Sequence, residues 1–400
     1  MTTTSVNMEI KKHTKDDLSF LVDGVDVSIV NSMRRACMSN IETLVFRGFP
    51  HEENKINITK NTTKFNNEYL KHRISCLPIG NNKSTAVTAF NDPTKFNTII
   101  QSYKLVLNKK NNEKTKRFVT TDDFEMYDKN TNEVVKDFDI QEIFPHDEIT
   151  DEPILLLILY PNFNQNEETE EIMLELEFDK GSAYENSCWN VVSKCCYENK
   201  KNEEVIHEIS EKMRSDGKSN MDVRDFELLD GQRIYVKDMF EFYLEGIGIY
   251  TSRQIAVRGI EYILKKLNIL QDYISQNSQT EIQSRDKLQD LEDDNLYAIY
   301  SHEELRNYIV LKLKEDDYTI GKLIENHLYK EFRDKLEFVG FKKMHTTEKE
   351  AYIYIKYMSD NEDSVTMSQV NIQIYQDLMV VIKKISEIYN NIISNIPVDK

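Results

Sequence analysis

Side chains that ligate metals, attack carbonyls or move protons are sparse in this sequence, and few stand at workable spacing. Cys188, Cys195 and Cys196 form a C-x6-CC run beside Trp189. Structural zinc takes two Cys or His pairs, each two to four residues apart on turns. Here a second pair and a nearby histidine are both missing, so the spacing favours cysteines packed in a core over metal ligands. His72 stands one helical turn before Cys76, a spacing that places a base beside a nucleophile. Nothing in the sequence orients that histidine, and Pro78 ends the segment. His327 and His345 are isolated, and the acid pairs Asp122-Asp123 and Asp293-Asp294 read as solvated loops. No P-loop, dinucleotide fingerprint, HExxH or GxSxG occurs. A standalone enzyme using the His72/Cys76 or Cys188–Cys196 region therefore stands only as the rival reading. No catalytic, cofactor or metal residue is assigned.

Arg34 and Arg35 pose a sharper question. They flank an apolar face formed by Val30, Met33, Cys37 and Ile41, spaced three, four and four. Two guanidinium groups beside such a face cost solvation unless a carboxylate or carbonyl meets them. The alternatives are a solvated face and a docking surface for a larger protein. The helix that carries them is predicted over 27–41, opened by Asp26 as N-cap, with a β-like stretch from Thr43 to Phe49. So short a seam needs partner helices. Thr251–Ile274 supplies one through Ile260, Ile263, Leu267, Leu270 and Ile274. Ser368–Ile396 supplies another through Ile374, Leu378, Val381, Ile385, Ile388 and Ile392, spaced 4, 3, 4, 3, 4. Three amphipathic helices so far apart in sequence predict a helix layer closed by long-range contacts.

Composition narrows the function further. The chain has 400 residues, 40% hydrophobic and 30% charged, and a net charge of −18. That is length for two or three domains with a real core. Nucleic-acid binding by counterion release needs clustered Lys and Arg, whereas here basic residues are interleaved with acidic ones, which counts against a free DNA-binding regulator. The longest apolar run, Ile154–Tyr160, is too short for a bilayer, and the first residues hold no apolar signal region. An intracellular protein without membrane contact is expected. Five cysteines, an odd and small number, predict no disulfide scaffold.

Along the chain, Met8–Lys11 and Leu18–Val22 read as a hairpin, and a short helix carries Tyr69 to Cys76. Residues 81–149 are the least periodic and are predicted to be a β-rich insertion. Ile154–Tyr160, Ile172–Phe178 and Arg233–Glu245 read as strands, with a partly helical stretch before Asp225. Gln271–Asn295 is polar and is the linker candidate. From Leu296 the pattern restarts as strand–helix–strand–helix, a second α+β unit.

These segments resemble a known family. VSIVNSMRRACMSNIETLVF is similar to the signature helix of α-like subunits of cellular RNA polymerases, approximately A-N-[AS]-[LI]-R-R before a strand. Asn31, Ser32, Arg34 and Arg35 match, and Glu42 replaces the usual proline. NEYLKHRISCLPIG resembles the family's H-R-[LI]-x-x-[LI]-P-[LI] segment through His72, Arg73, Ile74, Leu77 and Pro78. Gly181 and Trp189 fit a further motif, with Asn186 and Cys188 in place of its His and Lys. FYLEGIGIYTSRQIAVRGIEYILKKL resembles the closing strand and helix of the polymerase II subunit-3 type, the archaeal D type. DYTIGKLIENHL resembles the D-H-T-L-G-N-L motif of the subunit-11 type, the archaeal L type, through Asp317, Thr319, Gly321 and Leu323. FVGFKKMHTTEKEAYIYIKY resembles the segment that follows in that type, with His345 kept and both prolines lost.

The resemblance implies an α+β fold of two α-like dimerisation modules, forming an intramolecular pseudo-heterodimer with a helix layer and an inserted β-rich subdomain. Residues 1–50 and 179–270 would be the subunit-3-like module, 51–178 the insert, 271–295 the linker and 296–400 the subunit-11-like module. It implies a noncatalytic assembly platform that dimerises in cis and docks the largest and second-largest polymerase subunits, together with small subunits of the subunit-10 and subunit-12 type. No direct DNA contact is expected. Asn31, Arg34, Arg35, His72 and Arg73 would serve docking, and Asp317, Thr319 and Gly321 would shape the turn into a helix. Some family members hold zinc or an iron–sulfur cluster in the insert; residues 81–184 contain no cysteine, so neither is carried over. Fusion of both modules is similar to polymerases of large nucleocytoplasmic DNA viruses. That implies work in the host cytoplasm and packaging in the virion.

Overall fold

The computed structural model describes residues 6–81, 89–135, 138–161, 169–278, 282, 296–301, 308–358 and 367–398. Strands β1 (Asn7–His13) and β2 (Asp17–Asp23) form the opening hairpin, and alternation in β2 sends Leu18, Phe20 and Val22 inward. Helix α1 (Val27–Ser39) is capped by Asp26, whose Oδ1 accepts from the Ser28 amide at 2.8 Å. It ends two residues short of Ile41, which is buried all the same.

The chain then leaves for a second core. Strand β3 (Glu42–Val45), β4 (Ile56–Asn61), α2 (Asn67–Ser75), α3 (Phe96–Ser102), β5 (Tyr103–Lys110), β6 (Arg117–Thr120), β7 (Glu125–Asp128), β8 (Leu155–Leu159), β9 (Glu171–Glu177) and β10 (Asp179–Ser182) follow. They make a four-stranded sheet, β4-β9-β5-β7, and two ribbons, β6-β8 and β3-β10. Leu44 and Phe46 already belong to this core, upstream of residue 51, beside Leu70, Ile74, Leu105, Leu174, Leu176 and Phe178.

Strand β11 (Val192–Lys201) returns to the first core. Next come α4 (Glu203–Ser215) and α5 (Asn220–Leu228), then β12 (Tyr235–Gly246), which completes the sheet β1-β2-β12-β11. Phe20 of β2 pairs with Phe242 of β12, and their rings stack at 5.1 Å. Helix α6 (Ser252–Asn277) carries the central seam. It continues past residue 271, where the linker was expected to open, because Leu270 and Ile274 are still fully buried. Most of the rest of that linker lies outside the described residues.

The last unit contains more strands than the four-element pattern predicted: β13 (Tyr297–Ser301), β14 (Tyr308–Lys314), α7 (Tyr318–Phe332), β15 (Leu336–Lys342), β16 (Glu350–Tyr357) and α8 (Met367–Asn395). Its sheet order is β13-β14-β16-β15, all antiparallel. β15 escapes the alternation rule because most of its side chains are half-buried or exposed.

Helices α1 and α6 pack on the first sheet and α7 on the last, while α8 joins α6 and α7, so both sheets share one hydrophobic core. Val30, Met33, Cys37, Ile260, Ile263, Leu267, Leu270, Ile374, Leu378, Val381, Ile385, Ile388 and Ile392 are all buried in it. The approach of α1 to α6 is set by Gly259, where an added Cβ would lie 2.5 Å from Cys37 Sγ and 3.2 Å from the Cys37 amide nitrogen. Gly321 likewise admits the ring of Phe341 against α7. We expect Gly259→Val to lower unfolding stability by about 1–3 kcal/mol through overpacking, read from the chemical denaturation midpoint. An unchanged midpoint would mean that the two helices separate freely.

Candidate functional site

A polar network lies where α1 and α6 meet the start of α7. Asp317 is the N-cap of α7, and its Oδ1 accepts from the Thr319 amide at 2.8 Å. Arg35 of α1 reaches across, donating through Nη2 to Asp317 Oδ2 at 2.5 Å and through Nε to Thr319 Oγ1 at 2.9 Å. Ser32, one helical turn earlier on α1, donates its hydroxyl to the Thr319 carbonyl at 2.8 Å. Three bonds from one turn of α1 thus converge on one turn of α7.

A second group sits beside it. Lys266 of α6 pairs with Asp316 at 3.0 Å, and Tyr297 of β13 donates to the same carboxylate at 2.8 Å. At the other end of α7, Lys330 pairs with Asp26, the N-cap of α1. Tyr389 of α8 donates to the Ile29 carbonyl of α1 at 3.1 Å.

Burial and bonding set the charges. Burial alone would raise the Asp317 carboxyl, but hydrogen bonds from Thr319 and Arg35 overcome it and hold its pKa below the ordinary 3.8. Asp26 behaves alike, with Lys330 and Ser28 outweighing burial. Asp316 goes the other way, because burial exceeds the help of Lys266 and Tyr297. Tyr297 in turn is pushed far up by burial and by the Asp316 charge.

Residues 19–321 match the RNA polymerase Rpb3/Rpb11 dimerisation domain. The chain belongs to that family. A segment of 74 residues is 35% identical to the DNA-directed RNA polymerase subunit Rpo3 of Methanosphaera stadtmanae, covering 18% of this chain and 25% of that protein. The Rpo3 subunit of Methanobrevibacter smithii is 29% identical over 77 residues, 19% of this chain and 26% of that protein. The chain thus matches about a quarter of the length of these curated relatives.

Within this family member, the residues expected at a docking surface separate into two kinds. Arg35, expected at the docking surface, donates within the chain to the Asp317 carboxylate and the Thr319 hydroxyl and keeps 34% of its side chain exposed. Arg34 turns to the other side of α1, where Nε and Nη2 donate to Asn31 Oδ1 at 3.2 and 3.1 Å, and both residues stay half-exposed. His72 and Arg73 are exposed on α2, over the insert's core, with Arg73 donating to the Leu155 carbonyl at 2.8 Å.

The rival catalytic groups are not gathered. The His72 ring has no hydrogen-bond partner among the described residues, and Cys76 lies beside Cys188. Cys195 and Cys196, adjacent on β11, take opposite faces: Cys195 is buried against Cys37, and Cys196 is half-exposed. Among the described residues no group of three or more His, Cys, Asp or Glu is placed to hold a metal ion. A groove of about 510 Å³ beside α6 mixes Arg258, Lys265 and Lys266 with Glu42, Glu185 and Glu261, with no convergent set of one sign. Sequence reasoning missed Ser32, Lys266, Asp316 and Tyr297 as cross-helix bonds; the Asp316-Asp317 pair before an apolar helix was the available signal.

A depressed carboxylate stabilises the fold above its unfolded pKa and loses that contribution as the pH falls through its folded value. Asp317→Asn should therefore flatten the loss of stability below pH 3.8, the ordinary carboxyl value, while leaving the profile at higher pH parallel to that of the parent. At neutral pH, Arg35→Ala and Asp317→Ala should couple by about 1 kcal/mol, the size fitting a partly solvated pair. Denaturant titrations across the pH range measure both, and additive single effects would mean that the Arg35–Asp317 pair contributes nothing.

Proposed function

We propose that this chain is the α-like assembly subunit of a multisubunit DNA-dependent RNA polymerase, carrying both members of a dimer on one polypeptide. In this reading residues 1–50 and 179–270 are the subunit-3-like module and 296–400 the subunit-11-like module, joined through 271–295. They dimerise in cis across the helix layer, and the resulting platform docks the largest and second-largest subunits. The observation that supports it best is the convergence of Ser32 and Arg35 on Asp317 and Thr319, which joins the family's signature helix to the first turn of α7. Each unit also brings its own four-stranded antiparallel sheet to the shared core. Fusion holds the modules at an effective concentration around millimolar, for a short flexible tether, and fixes their stoichiometry at one to one.

Asn31, Arg34, Arg35, His72 and Arg73 are the docking residues of this reading, since they keep exposed or half-exposed polar groups. The fused arrangement, with a Gly-poor chain of 11 glycines, suits a large nucleocytoplasmic DNA virus, with work in the host cytoplasm and packaging in its particles. Affinity purification of the tagged chain from its native source should recover two much larger subunits with RNA synthesis activity. The double variant His72→Asp with Arg73→Glu should melt like the parent and capture those subunits about tenfold less well, as for central polar contacts. Undiminished capture would remove these two residues from the docking surface, and a lone chain in the eluate would overturn the platform itself.

A further inference from the structure

Four of the five cysteines stand in two pairs whose surroundings differ. Cys37 of α1 and Cys195 of β11 touch inside the core, where Cys37 Sγ donates to the Ile255 carbonyl and Cys195 Sγ to the Arg34 carbonyl, each at 3.7 Å. Both are buried. The other pair lies at the surface. Cys76 caps the C-terminus of α2 and is exposed, while Cys188, in the short turn Ser187–Trp189, is half-exposed.

The second pair is positioned by a shared acceptor. The carbonyl oxygen of Ser75, the residue bonded to Cys76, accepts from Cys188 Sγ at 3.6 Å and from Trp189 Nε1 at 3.2 Å. Thiol and indole are therefore both drawn onto the backbone of α2 next to Cys76. Trp189 is held from behind by the Arg47 guanidinium, 4.8 Å from its ring, and its ring lies over Gly181, where a Cβ would collide with it. Cys76 and Cys188 line one pocket of about 170 Å³ together with Leu77, Pro78, Asn190 and Ile249.

We propose that Cys76 and Cys188 are a thiol–disulfide exchange site that accepts a low-molecular-weight disulfide of the glutathione class and closes into an intrachain bond between α2 and the Trp189 turn. The Cys76 thiolate, the more exposed of the two, attacks one sulfur of the small disulfide; that S–S bond breaks and one small thiolate leaves. Cys188 then gives its proton to solvent and attacks the Cys76 sulfur of the mixed disulfide, expelling the second small thiol. The protein loses two protons and two electrons, and the small disulfide gains both to become two thiols. Burial and the neighbouring Cys76 push the Cys188 thiol up to about 11, so it rests protonated and the first attack falls to the more exposed Cys76. The closed bond spans a loop of roughly 110 residues, the long-loop case in which a cross-link most restricts the unfolded chain.

The test treats the full-length reduced chain with oxidised glutathione under native conditions, followed by alkylation, digestion and mass spectrometry. The expected product is a linked Cys76–Cys188 peptide, with Cys37 and Cys195 alkylated only after unfolding. The oxidised chain should melt several degrees higher than the reduced one, and the Cys76→Ser variant, altered at an exposed position, should show neither the link nor the rise. Cys188→Ser, which keeps a donor for the Ser75 carbonyl, should accumulate a glutathione adduct on Cys76. A stable adduct on Cys76 in the parent chain, disulfide-linked dimers, or no reaction at Cys76 would each overturn the proposal.

Discussion

The apolar face of α1 has to be covered from three sides at once, and the rest of the first and last units follows from how that is done. β11 and β12 lie under it, α6 lies alongside at the distance Gly259 permits, and α7 crosses its polar edge. None of these partners is local in sequence, so α1 cannot hold its conformation as an isolated helix. Removing the last sheet with α7 and α8 would also uncover the α6 seam, whose Ile260, Ile263, Leu267 and Leu270 are fully buried. The two units are energetically one core, whatever their origin in sequence.

Apolar seams with near-heptad spacing allow a helix to slide by a turn along its neighbour at modest cost, whereas directional bonds do not. Ser32 with Arg35, Lys266 and Tyr389 supply such bonds at three points around the layer. The buried Lys266–Asp316 pair loses much of its Coulomb gain to desolvation, as the raised Asp316 pKa reflects. Its value lies in register: Asp316 finds both Lys266 and the Tyr297 hydroxyl in only one alignment of α6 against the last sheet. The insert has a comparable latch. Arg47, just past β3, meets Asp179 at 2.7 Å, Glu185 at 2.9 Å, the Lys180 carbonyl at 2.8 Å and the Trp189 ring. One guanidinium thus closes the neck where the chain leaves the first core and returns.

What could be read from the residues follows from the range of the interaction. The three seams were legible because amphipathic periodicity is a local property of a helix, and Asp26 and Asp317 were legible as caps for the same reason. Strand β13 was hidden because Tyr297, Ala298, Ile299 and Tyr300 are buried on both faces, which removes the alternation. The α4–α5 region was legible only as a partly helical stretch, because it is largely polar and, of its residues, only Ser210 and Val223 are buried. The acceptor of Arg35 was hidden for a different reason. Solvation cost shows that a guanidinium beside an apolar face needs an acceptor, but not whether that acceptor lies on another protein or 282 residues along the same chain. The pairing of Cys76 with Cys188 was illegible on the same ground, since only the fold brings a helix end and a distant turn onto one carbonyl.

This distinction bears on how an acidic chain with many cations behaves toward a polyanion. Arg35, Arg47, Arg73 and Arg258 are each committed to the chain's own oxygens: Arg258 donates to the Asn91 carbonyl at 2.6 Å while lying 3.9 Å over the Tyr250 ring. Lys60, Lys104, Lys129 and Lys312 similarly face Glu171, Glu175, Glu177 and Glu350. Counterion release rewards cations that can turn to phosphate without abandoning a partner, and groups already matched to carboxylates or carbonyls gain little by exchange. These eight cations are therefore held in short internal contacts rather than gathered in a stripe.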